Sequence, residues 1–402
     1  MNKKLKIGVM GLRRGSFVLK SAKLLKDEMV VSAVCETDTE QTEKMREYFM
    51  PETKAYTDFD EFINSGLDAV VLCNYFHEHA KYAIKALDAG VAVLSETTAA
   101  PTLGECVDLV EAVERNNGKY MLAANCLYFK PLHAMREKLE SGEYGKIMYA
   151  EAEYIHSSNG SGLQDMKMDE NTIDLDNLHW RQTMPSCYYN MHTLGPLMYI
   201  TNSVPKKVVA KAVAMPGLDS RKVSDTPKSF ALTEMDNGAV FNTTGCVWQG
   251  PTSKWYRVAC AEGTMETERY DWREEWLLEV KRPDEIKRSC PSWSVAGAIS
   301  AEDERKYGDF GSVGHGGIDF IMMMHFLKYL RGEEECFLDV YRSAALSAAG
   351  ILSWYSILEN SREYEIPDFR DKKAREIFCG DYRMPIAKSY KDLSLPCRLS
   401  EM

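Results

Sequence analysis

Lys4-Leu-Lys-Ile-Gly-Val-Met-Gly-Leu-Arg-Arg-Gly-Ser16 reads as a strand that enters a glycine turn and continues as a helix. Leu5, Ile7 and Val9 supply the strand's apolar alternation, and Gly11 and Gly15 the turn. Phe17, Val18, Ala22, Leu24 and Leu25 give the helix an apolar face. A second apolar run, Val30-Val-Ser-Ala-Val-Cys35, ends on Glu36. Strand, glycine turn, helix, strand and acid in that order are the setting in which a glycine fingerprint binds a dinucleotide. Backbone N–H groups of Gly11, Leu12, Arg13 and Arg14 would face the pyrophosphate, and Glu36 would accept hydrogen bonds from ribose hydroxyls. Arg13 stands where the usual middle glycine would be, and Ser16 near the third. A carboxylate at Glu36 repels a 2′-phosphate, so NAD is expected over NADP, although Arg13 and Arg14 at the same end could accommodate a phosphate. The competing reading is the same turn with no nucleotide.

With 402 residues the chain exceeds one compact core, so two domains are expected. Apolar content of 45% and charged content of 27% describe an ordinary globular protein. A net charge of −11 argues against nucleic acid or an anionic membrane surface as partner. Most of the eleven cysteines sit in apolar runs and no Cys-x-x-Cys pair occurs, so reduced, buried thiols are expected and no zinc ribbon. No apolar stretch approaches the ~18–20 residues that span a bilayer. The N-terminus enters its first strand without a signal-like apolar segment. A cytoplasmic enzyme follows as the expectation.

Through the first third, strands and helices alternate. Leu67–Cys73 suits a parallel strand buried on both faces. A helix containing Ala80, Ala83, Ile84 and Leu87 stops at Gly90, and Val91–Leu94 is the next strand. Thr102-Leu-Gly-Glu105 is a capping box, and Tyr120–Ala124 a further strand. Such βα repeats build an open, doubly wound α/β sheet with ligands beyond its strand ends, which singles out Asn74, Glu96 and Asn125. His79, opening a helix, reads equally as a cofactor contact or a cap. After Pro131 the pattern changes. A helix at 132–139, a strand at Ile147–His156, a polar stretch over 157–179 and a helix over 192–199 precede strands near 207–215, 228–235, 238–247 and 255–261. Hairpin punctuation at Asp236-Asn-Gly238 makes that sheet antiparallel. The expected division is a dinucleotide-binding domain at 1–125 and a substrate and oligomerisation domain at 126–370. Residues 371–402 would form a tail packing back on the body.

These residues together resemble the Gfo/Idh/MocA oxidoreductases. The resemblance implies an N-terminal Rossmann domain, a C-terminal α/β domain with a large, mostly antiparallel sheet, and sugars or cyclitols as substrates. The family's Glu-Lys-Pro is here Glu96-Thr97-Thr98, so the lysine that assists proton transfer is absent. A subgroup without that lysine, glycoside hydrolase family 109, is matched in several further places. Asn125-Cys-Leu-Tyr128, Glu153-Tyr-Ile-His156, His179-Trp-Arg181 and Tyr189-Asn-Met-His-Thr-Leu-Gly-Pro196 resemble its motifs in order. Gly314-His-Gly-Gly-Ile-Asp319, Asp339-Val-Tyr341 and Ile366-Pro-Asp-Phe369 do so near the C-terminus. Asn190 and Met191 depart from the pattern.

The resemblance implies NAD contacts from Glu96, Thr97, Asn125, Trp180 and Arg181 besides the glycine turn, with Asn74 and His79 nearby. Tyr154, His156 and His315 are implied as substrate contacts, and no metal. A neutral histidine suits removal of a sugar hydroxyl proton at neutral pH, which assigns His192. Tyr128 is the first choice for removing the C2 proton of the resulting 3-keto sugar, and Tyr189 the second. A tyrosine with an ordinary pKa of ~10 is a weak base, so a cation such as Arg181 or NAD⁺ is needed beside it. Elimination, water addition and re-reduction would complete a hydrolysis without net redox change. The alternatives are a net sugar dehydrogenase or 3-oxidase, a lyase that stops after elimination, and a non-catalytic dinucleotide-binding regulator. The partners expected are a small sugar or glycoside and, through the C-terminal sheet, a second copy of the chain.

Overall fold

A computed structural model describes residues 3–155, 184–213, 228–246, 253–269, 276–282, 284–308 and 310–384. The chain divides into two compact units. The first comprises Met1–Tyr128, Gly297–Ala344 and Phe369–Tyr382, the second Phe129–Ala296, Ala345–Asp368 and Arg383–Met402. The division differs from the single crossing expected near residue 125, because the chain returns to the first unit twice.

The first unit is built on strands β1 (Leu5–Met10), β2 (Met29–Cys35), β3 (Lys54–Tyr56), β4 (Ala69–Leu72), β5 (Ala92–Ser95) and β6 (Tyr120–Leu122). They form one parallel sheet in the order β3-β2-β1-β4-β5-β6. β4 is the run predicted to be buried on both faces, and all of Ala69-Val-Val-Leu72 is fully buried. Each such aliphatic side chain contributes about 1.5–3 kcal/mol of burial. The helix Leu103–Asn116 starts as its capping box predicts, with the Thr102 hydroxyl accepting from Glu105 N at 3.2 Å. Loss of such a cap costs about 1 kcal/mol. Connections reverse direction between β1 and β4, and ligands of open α/β sheets bind beyond the strand ends at that switch point.

Helix Ile318–Arg331 explains why 297–344 returns to this unit. Phe320, Ile321, Met322, Met323, Phe326 and Leu327 are all fully buried, and Arg331 pairs with Glu28 at 2.9 Å. The Met-rich run is core filling, as expected. Near the C-terminus, Gly104 N donates to Asp381 O at 2.8 Å, so the first part of the predicted tail packs on helix Leu103–Asn116.

The second unit carries β7 (Ile147–Ile155), β8 (Pro205–Val213), β9 (Lys228–Met235), β10 (Val240–Cys246), β11 (Ser253–Cys260), β12 (Gly263–Thr267), β13 (Leu277–Arg282), β14 (Glu285–Ser289) and β15 (Tyr364–Glu365). The nine strands run β14-β13-β12-β11-β7-β10-β9-β8-β15, antiparallel except for the β7–β10 pair. The Asp236-Asn-Gly238 turn joins β9 to β10, with Gly238 at φ 80°. One sheet face is covered by helices Lys130–Glu140 and Leu194–Thr201 and by residues 345–358 of a longer helix. Strands β12 to β14 were not anticipated. They are short, and β14 (Glu-Ile-Lys-Arg-Ser) is charged and exposed, so it carries little alternation for a sequence reading to detect.

Candidate functional site

The dinucleotide cradle lies at the switch point of the first unit. Gly11 adopts φ 84°, and a Cβ there would sit 2.5 Å from Cys73 O and 2.9 Å from Asn74 N. The turn therefore closes against the end of β4, and only glycine allows it. A Cβ on Gly15 would meet Val9 Cγ1 at 2.5 Å, which seats the helix on its strand. Glu36 stands at the end of β2 as predicted. Its carboxylate accepts from Leu12 N at 2.9 Å and Asp38 N at 3.2 Å, which holds it beside the helix N-terminus. Both amide atoms of Asn74 and the hydroxyl of Thr97 are buried without a hydrogen-bond partner. Buried polar groups are seldom left unpaired, so these orphans at the strand ends fit a polar ligand laid across the turn. The positions and donor types suit NAD.

Behind the turn lies a charged network. Arg14 Nε is 2.7 Å from Glu96 Oε1 and its Nη1 3.4 Å from Asp319 Oδ2. Asn125 Nδ2 donates to Asp319 Oδ1 at 2.7 Å, and His315 Nδ1 lies 3.0 Å from Asp319 Oδ2. Burial pushes the Asp319 carboxyl up, but His315, the Arg14 guanidinium and Asn125 outweigh it and hold the pKa down at about 2. The sequence reading assigned Arg13 and Arg14 to the cofactor. Arg13 is exposed, whereas the Arg14 guanidinium is placed on the two acids. Asp319 was missed as a site residue, although an acid four residues after His315 in Gly-His-Gly-Gly-Ile-Asp was the available signal.

His79, left open between cofactor contact and cap, does a third thing. It is 1% exposed, and its ring spans two loops, Nδ1 at 3.2 Å from Thr98 O and Nε2 at 3.1 Å from Asn74 O. The neutral ring donates its single N–H to one of these carbonyls and packs against the other, between the Asn74 loop and the Glu96-Thr-Thr98 loop. Burial lowers its pKa, and the two carbonyls and Glu96 only partly oppose this. The folded state then binds fewer protons than the unfolded chain below the ordinary value of ~6.5, so stability is lost as pH falls through that value. In His79→Gln that acid sensitivity should disappear, by up to about 1.4 kcal/mol per pH unit. Denaturant melts between pH 5 and 7 check it, and parallel slopes for both proteins would refute it.

The second unit holds an aromatic cluster around His192. This residue ends a 3-10 turn, Ser186–His192, and does not open the following helix as predicted; the helix begins at Leu194, after a break at Thr193. His192 is buried and stacks on Tyr154 at 4.4 Å with 15° between the planes. Tyr189 lies 4.7 Å from the imidazole and 5.9 Å from the Tyr154 ring. Tyr256 Oη donates to the His192 carbonyl at 2.8 Å, fixing the backbone. Lys254, opposite Tyr154 in the β11–β7 register, places its ammonium 5.8 Å from that ring. Lys254 and Tyr256 were not anticipated, because cross-strand pairing is not readable from spacing. Three assigned residues thus converge: Tyr154, Tyr189 and His192. Tyr128 lies in the first unit, stacked on His325 at 4.9 Å. His156, Trp180 and Arg181 lie outside the described residues.

Comparison with known proteins adds names to this geometry. Residues 5–124 match Gfo/Idh/MocA, described as an oxidoreductase family with an NAD-binding Rossmann fold, and residues 304–375 match the glycosyl hydrolase 109 C-terminal domain. A glycosyl hydrolase family 109 protein of Shewanella pealeana is 24% identical, over 90% of this chain and 85% of its own. An alpha-N-acetylgalactosaminidase of Tannerella forsythia is 23% identical, over 84% and 80%. Levoglucosan dehydrogenase in complex with NADH and levoglucosan superposes with a TM-score of 0.70 at 16% identity, over 91% of this chain and 100% of its own. The WlbA dehydrogenase from Bordetella pertussis, in complex with NADH and UDP-GlcNAcA, gives 0.70 at 16%, over 91% and 99%. At such identities the structural likeness concerns the fold.

Proposed function

For a chain that carries the NAD-binding Rossmann domain of the Gfo/Idh/MocA oxidoreductases and a glycosyl hydrolase 109 C-terminal domain, we propose a glycosidase that works by transient oxidation. It is an NAD-dependent enzyme. The observation that carries the reading is the buried His192, stacked on Tyr154 beside Tyr189, in a chain whose Glu96-Thr-Thr lacks a lysine. His192 takes the proton of the sugar C3 hydroxyl. Held by the glycine turn, Asn74 and Thr97, NAD would supply the two-electron acceptor for that carbon and the donor for its later re-reduction. The 3-keto group acidifies C2–H, and Tyr128, or Tyr189 in its place, removes that proton. The proton taken from C2 passes to the departing C1 oxygen, which leaves as an alcohol; water adds its hydroxide at C1 and its proton at C2; and His192 returns its proton to O3 as C3 is reduced, so the sum is hydrolysis. Tyr154 and His315 hold sugar hydroxyls, and Asn74 and Thr97 hold the cofactor through their unpartnered polar atoms.

Purified protein with aryl glycosides and NAD⁺ tests this, with aglycone release and NADH absorbance followed together. Aglycone without accumulated NADH is expected. NADH with intact aglycone would establish the second reading, a net sugar dehydrogenase, which the fold shared with levoglucosan dehydrogenase favours. Silence in both channels would leave a dinucleotide-binding regulator.

We also place the enzyme in the cytoplasm, where the free thiols of Cys35, Cys73, Cys106, Cys126 and Cys187 stay reduced. Among the described residues no helix is long and apolar enough to cross a membrane. A second copy of the chain is the proposed partner of the open sheet face. Tyr149 on β7, Val240 on β10 and Phe230 and Leu232 on β9 are exposed there, and Val240 lies opposite Tyr149. Exposed apolar patches of this kind mark interaction surfaces. Leu232→Glu should turn an oligomer into a monomer in sedimentation velocity; a monomeric wild type would end the idea.

A further inference from the structure

His315 is an exposed imidazole held by a buried carboxylate, that of Asp319. Asp319 is 0% exposed, and each of its oxygens has a donor. The contact at Oδ2 settles His315 chemically, because a carboxylate only accepts. A ring nitrogen 3.0 Å from Asp319 Oδ2 must carry the hydrogen. The 3.1 Å approach of Asn125 Nδ2 to the same Nδ1 then cannot be a hydrogen bond, and the Asn125 amide is satisfied by Asp319 Oδ1. The backbone is shaped for this arrangement. His315 itself has φ 48°, and a Cβ on Gly314 would fall 2.1 Å from Asp319 Oδ2. The charged groups around the carboxylate are Arg14 from the glycine turn and Glu96 from the β5 end, with the buried Cys73 thiol from the β4 end.

We propose that Asp319 is a positioning residue that fixes the Nδ1–H of His315, and with it the orientation of the ring, so that Nε2 faces a hydroxyl of the sugar. Arg14 is the counter-charge that lets the carboxylate remain ionised while buried. The substrate role rests on the glycoside reading above, but the Nδ1–H does not, so the two can fail separately.

Nitrogen-15 spectra of histidine-labelled protein without ligand test it, with His315 assigned through His315→Gln. The wild type should show a protonated Nδ1 at neutral pH. Asp319→Asn keeps the shape but brings an NH₂ to the site, and the pattern should shift towards protonation at Nε2 alone. With an active glycoside, the same variant should raise KM by up to about 10-fold, the size of one lost hydrogen bond to a substrate hydroxyl. Wild-type His315 protonated at Nε2 alone overturns the proposal without any variant. A pattern unchanged in Asp319→Asn overturns it as well.

Discussion

His192→Ala should lower kcat for a cleaved glycoside by about 10³- to 10⁴-fold, at the upper end of what a positioned general base contributes. Aglycone release should vanish with no NADH signal in its place, since without removal of the C3 hydroxyl proton no keto sugar forms and elimination has no acidified C2–H to start from. NAD affinity should stay within a few-fold of wild type, because Gly11, Glu36 and Asn74, which form the cradle, are left unchanged. The variant should still fold. The Tyr256 hydroxyl bonds to the backbone carbonyl of residue 192, which alanine retains. Loss of a buried ring stacked on Tyr154 costs about 2–5 kcal/mol by analogy with other large-to-small core changes, so His192→Gln, closer in volume, serves as the companion variant. Activity within a few-fold of wild type in both would remove His192 from the reaction. NADH formation that survives while aglycone release stops would move it to a later step.

Gly11→Ala should weaken NAD binding by about 100-fold, which corresponds to about 2.7 kcal/mol. Two causes add. Alanine at φ 84° is strained by about 1–2 kcal/mol, and its methyl group would press on Cys73 O and Asn74 N, displacing the loop that carries the unpartnered Asn74 amide. Gly66→Ala separates the two. Gly66 has φ 85° but nothing within 4 Å of a Cβ, so it should lower Tm with NAD affinity untouched. Calorimetric titration of NAD⁺ into the three proteins reads the difference. Equal affinities for Gly11→Ala and wild type would mean that the dinucleotide does not lie on this turn.

The cradle was legible from sequence because its determinants are local. A glycine after an apolar strand, a helix start and an acid ending the next strand are each set by a few neighbouring residues, and β1, the turn and Glu36 fell where those signals placed them. The hairpin at Asp236-Asn-Gly238 and the cap at Thr102 were readable for the same reason. His79 was only half legible. Its position opening a helix is local, but its partners, Thr98 O and Asn74 O, come from two different strand ends.

By itself the sequence determined the parallel sheet, the glycine turn, the acid after β2 and the chemical identity of the candidate side chains. Each depends on short-range backbone preference or on a residue's own functional group. Only the tertiary structure decided that Arg14 meets Asp319, 305 residues away, that Asn125 meets it across 194, and that Tyr154 stacks on His192. It also decided that residues 297–344 return to the first unit. A buried carboxylate takes whichever donors packing brings to it, and an aromatic ring takes whichever ring the sheet register sets beside it. Neither choice leaves a period or a spacing in the chain.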